Sequence, residues 1–207
     1  MKKLLLSIAV VLAASASALA QTKTIADSTS PQVETIVVIR HGEKPQGGLG
    51  QLNCKGLNRS LALPKVLLNK FGKPQFIFAP NPSEKVDDAK YFYVRPLATI
   101  EPTAIYCGLP VNTEFGYLEI EALENELYKP EYRNSTIFIA WEHGLLNAFV
   151  HRIIRHNGGN DKSVPSWSND EYDRIFVFKI IRENGQRKFS YTIDHEGLNG
   201  VSDQCLL

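Results

Sequence analysis

The sequence predicts an α/β fold: a three-layer sandwich in which a mostly parallel central sheet is flanked by helices and carries an antiparallel hairpin at its C-terminal edge. Three observations predict it. Short apolar runs rich in β-branched residues alternate along the chain with longer helix-like segments, the order expected of parallel strands joined by helical crossovers. The first of these runs, residues 35–39, shows no polar alternation, which is the pattern of a strand covered on both faces. The last two runs flank Asn184-Gly185, a pair that favours a tight hairpin turn.

Taken in order, strands are expected at 35–39, 75–79, 136–141, 174–182 and 188–193, and helices at 56–71, 96–106, 117–128 and 145–156. Pro96 suits a helix start, whereas Pro64 and Pro102 fall inside helical segments, where each removes a donor and favours a kink. Residues 157–170, rich in Gly, Ser, Pro and Asn, read as a loop.

Three spans are expected. Residues 1–20 read as a secretory signal: Lys2 and Lys3, an apolar stretch too short to span a bilayer, then Ala18-Leu19-Ala20 with the cut after Ala20. Residues 21–32 form a polar, flexible lead-in, and residues 33–207 one domain. A periplasmic or secreted protein with no stable membrane anchor after cleavage is therefore expected. Removing 20 of 207 residues leaves 187 and, with two lysines gone, moves the net charge from +1 to −1. That balance gives no general attraction for nucleic acid or anionic membranes, so any anion site must be a local cluster.

Cys54, Cys107 and Cys205 lack the spacing of a zinc site, and an exported chain can keep a disulfide. The pairing is open from sequence, with Cys107–Cys205 preferred.

Ligands of open α/β sheets bind beyond the carboxyl ends of the strands. Two such ends carry histidine: "IVVIRHG" places Arg40 and His41 after the first strand, and "TIFIAWEHG" places Glu142 and His143 after another. A glycine follows each histidine, Gly42 and Gly144, letting the backbone turn and approach a ligand. His151 and His156, about 140° apart around a helix, do not share a metal-binding face; with His195 they read as structural or surface residues.

Arg40-His41-Gly42 after an apolar strand resembles the signature of the histidine phosphatase superfamily, which includes phosphoglycerate mutases, acid phosphatases and phytases. Three further segments resemble it in the same order: "LNCKGLNRSLAL" at 52–63, "VRPLATIEPTA" at 94–104 with Arg95, and "AWEHG" at 140–144 with His143. The resemblance implies a phosphoglycerate mutase-like fold and a phosphatase acting on a small-molecule phosphate ester without metal or other cofactor. His41 would attack phosphorus and become a phosphohistidine, while Arg40, Arg95 and His143 bind the phosphoryl oxygens. Cationic neighbours are expected to keep His41 neutral, and a hydrogen bond from its other ring nitrogen to a backbone carbonyl to fix its tautomer.

Two positions depart from the family's patterns. Lys44 stands where the acid phosphatase branch has a third phosphate-contacting arginine, with proline one residue early at Pro45, so it would serve as a point charge without the guanidinium fork. Gly144 stands where the phytase branch has its proton-donating aspartate. Glu142 is the preferred general acid, then Glu114; Glu119, Glu121 and Glu124 read as a solvated helix face, and Glu43 as a partner for a pocket cation. A mutase-like phosphotransferase and a catalytically silent anion-binding module are the alternative functions.

Overall fold

The structure, a computed structural model, describes residues 30–86 and 88–205. The expected signal and most of the lead-in lie outside the described residues. The first described element is β1 (Gln32–Arg40).

The chain continues through α1 (Cys54–Phe71), β2 (Phe76–Phe78), β3 (Lys85–Val86), β4 (Tyr91–Phe92), α2 (Arg95–Cys107) and α3 (Ile120–Leu127), then β5 (Thr136–Trp141), α4 (His143–His156), β6 (Arg174–Glu183) and β7 (Gln186–His195). The main sheet has the order β2-β5-β1-β6-β7. β2, β5 and β1 run parallel, whereas β6 pairs antiparallel with β1, and β7 with β6. The hairpin is therefore only half an edge: β6 is interior and β7 alone borders solvent. Its two-residue turn has Asn184 at φ 49° and Gly185 at φ 73°, the left-handed pair this connection requires.

The period-2 alternation of β1 builds the layers. Ile36 and Val38 enter one apolar cluster with Leu123 and Leu127 of α3 and Leu146, Phe149 and Ile153 of α4. Val37 and Ile39 enter a second with Leu63 and Leu67 of α1 and Ile100 and Ala104 of α2. Burial on both faces is why β1 carries no polar alternation.

Pro64 and Pro102 lie inside α1 and α2, which run on through both. Each helix presents a buried apolar stripe to the sheet, and that packing offsets the lost hydrogen bond. Asn53 caps α1 by accepting from the Gly56 amide at 2.9 Å. The small β3–β4 hairpin, with Lys85 opposite Phe92, has no counterpart in the sequence reading, because two-residue strands are too short to show a period.

The disulfide joins Cys54 to Cys205, and Cys107 is a buried free thiol. This corrects the preferred Cys107–Cys205 pairing. Cys107 ends α2 in the core, whereas the C-terminal segment returns across the start of α1, with Asn58 Nδ2 donating to the carbonyls of Ser202 and Gln204. None of the helices described is long and apolar enough to cross a membrane.

Candidate active site

Parallel pairing sets Arg40 beside Trp141, so β1 and β5 end together and their next residues, His41 and Glu142-His143, emerge at the same edge. The His41 amide bonds the Trp141 carbonyl at 2.9 Å, extending the ladder one residue beyond the strand.

His41 is 2 % exposed. Its Nδ1 lies 2.8 Å from the Gly42 carbonyl oxygen, which can only accept, so Nδ1 carries the proton and Nε2 the free lone pair. Burial is the largest cause of the fall in its pKa to about 3; Arg95 and Arg40 add to it, and the Gly42 bond opposes it. The imidazole is neutral as expected, but desolvation leads and the cations are secondary.

Gly42 is gripped closely. Its amide donates to Thr99 Oγ1 at 2.9 Å, and a Cβ here would stand 3.0 Å from both Cα and O of Gly56. Gly56 is tighter still: a Cβ on it would sit 2.3 Å from the Glu43 carbonyl oxygen. Main chain meets main chain at this corner, leaving no room for a side chain on Gly56 and only a tight fit for one on Gly42.

Arg40 is buried, and its Nη1 donates to the carbonyls of Asn169 at 2.8 Å, Glu171 at 2.9 Å and Ser168 at 3.2 Å. Its Cζ lies 3.9 Å from the centre of the Tyr172 ring. Its buried Nε has no hydrogen-bond partner among the described residues. Arg95 opens α2, donates from Nη1 to the Gly48 carbonyl at 3.3 Å and lies 4.6 Å above the Tyr93 ring. Tyr93, fully buried, stands edge-on to His41 at 6.1 Å. It is a core aromatic that touches the site through His41 and Arg95.

His143 begins α4, with Nε2 2.7 Å from Asn169 Oδ1 and Nδ1 2.6 Å from Glu142 Oε1. Asn169 thus ties both Arg40 and His143 to one loop. Glu142 is the helix N-cap, accepting from the Leu145 amide at 2.8 Å. Burial alone would raise its pKa, but bonds from His143 and the amides of Gly144 and Leu145 outweigh it and bring it to about 2. A carboxyl held ionised in this way is a poor proton donor in the ligand-free protein. Its negative charge acts on Arg40, His41 and Tyr93.

Lys44 is exposed, its carbonyl accepting from Asn53 Nδ2, and does not share the burial of Arg40 and Arg95. Glu114 is exposed, and Glu119 accepts from the Gly116 amide ahead of α3. Glu121 and Glu124 bind Arg152 of α4. Glu43 pairs with buried Arg59 of α1, at 2.9 and 2.7 Å, rather than with a pocket cation. The sequence reading missed Asn169, Tyr172 and Arg59. Asn169 lies in a span recognised only as loop, and the partners of Arg59 are as far as 140 residues away in the chain.

Among the described residues, no three His, Cys, Asp or Glu side chains form a group able to hold a metal ion.

A structure described as a phosphohistidine phosphatase, SixA, from Nakamurella multipartita superposes with a TM-score of 0.51 at 14 % identity, over 79 % of this chain and 96 % of that one. The protein has the fold of the histidine phosphatases. A mycobacterial glucosyl-3-phosphoglycerate phosphatase, in complex with inorganic phosphate, superposes at 0.47 with 16 % identity, over 78 % of this chain and 95 % of that one. No family model matches the sequence, and no curated protein matches it. The likeness thus lies in the three-dimensional arrangement.

Proposed function

We propose that this protein is an exported phosphatase that hydrolyses phosphate monoesters through a phosphohistidine at His41. The observation that carries this reading is the state of His41: a buried, neutral imidazole whose Nδ1 proton is committed to the Gly42 carbonyl, leaving Nε2 as a nucleophile that needs no prior deprotonation.

In the first half-reaction Nε2 attacks phosphorus, the bond from phosphorus to the ester oxygen breaks, and the leaving oxygen departs with the electron pair. In the second, water attacks the phosphohistidine, the P–N bond breaks, and phosphate leaves with one water hydrogen as His41 is regenerated, the other proton passing through solvent to the released ester oxygen. Arg40 and Arg95 supply the positive charge that stabilises the transferring group, a role that requires no metal. The buried Arg40 Nε supports this, because a phosphoryl oxygen would satisfy a donor that otherwise carries a desolvation penalty. With Glu142 ionised, esters of acidic alcohols are favoured, since their anions leave without a strong proton donor.

Export is supported by the first 20 residues and by the Cys54–Cys205 pair, a bond that persists in oxidising compartments. The description of the Nakamurella structure adds N-phosphorylated histidine to the substrates to be tried.

The test is phosphate release from para-nitrophenyl phosphate by wild type and His41→Ala, with radiolabelled phosphate trapped on the enzyme by alkaline quench. Turnover lost by about three orders of magnitude in the variant, with acid-labile label on His41 in the wild type, is expected. Equal release by both proteins, or label on a serine, overturns the proposal.

A further inference from the structure

A buried guanidinium outside the phosphate constellation connects its two walls. Arg59, 0 % exposed in α1, grips Glu43 at two points, Nε to Oε2 at 2.9 Å and Nη2 to Oε1 at 2.7 Å. Its Nη1 donates to Glu196 and, at 3.4 Å, to Asp173, while Nη2 reaches Asn199 Oδ1 at 3.2 Å. Two carboxylates and a third, fully buried carboxyl around one guanidinium are a costly assembly to bury, and a poor way to gain stability alone.

What those carboxylates adjoin gives the assembly a purpose. Glu43 shares a peptide unit with Gly42, whose carbonyl receives the His41 Nδ1 proton. The Glu43 carbonyl also accepts from the Asn53 amide at 2.9 Å, so both ends of that residue are fixed. Asp173 follows Tyr172, the ring beneath Arg40, and accepts from the amides of Gly197 at 3.2 Å and Leu198 at 2.8 Å. The segment that brings Glu196 and Asn199 is itself tied to α1 through Cys54–Cys205.

We infer that Arg59 is a positioning residue for the nucleophile: its grip on Glu43 orients the Gly42 carbonyl that selects the His41 tautomer, and its contact with Asp173 sets Tyr172 beneath Arg40. The inference rests on reading His41 as the nucleophile, and it assigns the C-terminal segment a part in the reaction without placing it in the pocket. Lysine in place of Arg59 keeps the charge and loses the fork, so it separates orientation from charge balance.

The experiment uses the full chain. Long-range proton–nitrogen NMR correlations report the His41 tautomer without substrate, for wild type, Arg59→Lys and Glu43→Gln. Wild type should show the Nδ1-protonated form alone, and both variants a mixture. Their kcat for para-nitrophenyl phosphate should fall about 10- to 100-fold with KM nearly unchanged, the signature of a misaligned attacking atom. Should Arg59→Lys fail to fold, Glu43→Gln carries the same test, and if neither folds the grip serves stability alone and the inference falls. Folded variants with a single wild-type tautomer and wild-type kcat also overturn it. A tautomer response in a protein that never turns over would sink the phosphatase reading and leave the positioning role standing.

Discussion

The Nδ1 of His41 donates to the carbonyl oxygen of Gly42 across 2.8 Å, and this contact between neighbours decides which face of the ring reacts. It leaves Nε2 unprotonated in a site where burial, with help from Arg95 and Arg40, brings the imidazole pKa to about 3. In the pH profile of phosphoenzyme formation, His41 should contribute no limb near 6.5 and should begin to lose reactivity only as pH approaches about 3. Rapid-quench rates between pH 4 and 8 check this, and a limb near 6.5 in that profile overturns it.

Glu142 has its carboxylate held near a pKa of about 2 by His143 and two amides. Glu142→Gln should therefore slow alkyl and aryl phosphates by similar factors, because a group already ionised gives no proton to either. A selective loss on alkyl esters restores it as the acid. Glu142→Ala should in addition lower stability by about 1 kcal/mol through the lost cap of α4, read from urea melts.

Tyr172 supports Arg40 from 3.9 Å. Tyr172→Leu should weaken binding of inorganic phosphate about 3- to 10-fold, the scale of a partly buried cation–π contact, whereas Tyr172→Phe keeps the ring and should stay near wild type. Isothermal titration with phosphate separates the two.

The disulfide makes a counting prediction. Of three cysteines, one thiol should titrate in the denatured, unreduced protein and three after reduction. Because the bridge spans 151 residues, reduction should cost about 2–4 kcal/mol of stability, measured as a shift in the urea midpoint.

Glu196, buried against Arg59, has its pKa raised from 4.5 to about 8, chiefly by desolvation, with Asp173 and Glu43 adding to it. A carboxyl with a raised folded-state pKa binds more protons folded than unfolded, so its contribution is full below pH 4.5 and declines as pH rises toward 8. His41 works in the opposite sense, its contribution being full above 6.5 and lost as pH falls toward 3. The Glu196 share is isolated by subtraction: the stability gap between Glu196→Gln and wild type should move in the variant's favour from pH 5 to 8.

Much of the molecule is written locally. β5 matches its expected span, and the other main-sheet strands and the helices fall within three residues of theirs, because two-sided burial imposes uninterrupted β-branched runs and helix faces repeat on a fixed period. Arg40, His41 and His143 were visible as strand-end residues, and Arg95 through its resemblance to a family segment. Lys44 and Glu142 were visible too, yet their environments were not: Lys44 is exposed where Arg40 and Arg95 are buried, and Glu142 is held ionised by His143 and by the amides it caps.

The sequence by itself determined the order of the elements, the strand-end histidines and the arginine that precedes His41, since each follows from spacing within a dozen residues. Only the tertiary structure decided that Cys54 meets Cys205, that Asn169 joins Arg40 to His143, and that Arg59 gathers Glu43, Asp173 and Glu196. Those contacts bring together residues from distant parts of the chain, and their charge states are set by desolvation, which exists only once the chain has closed around them.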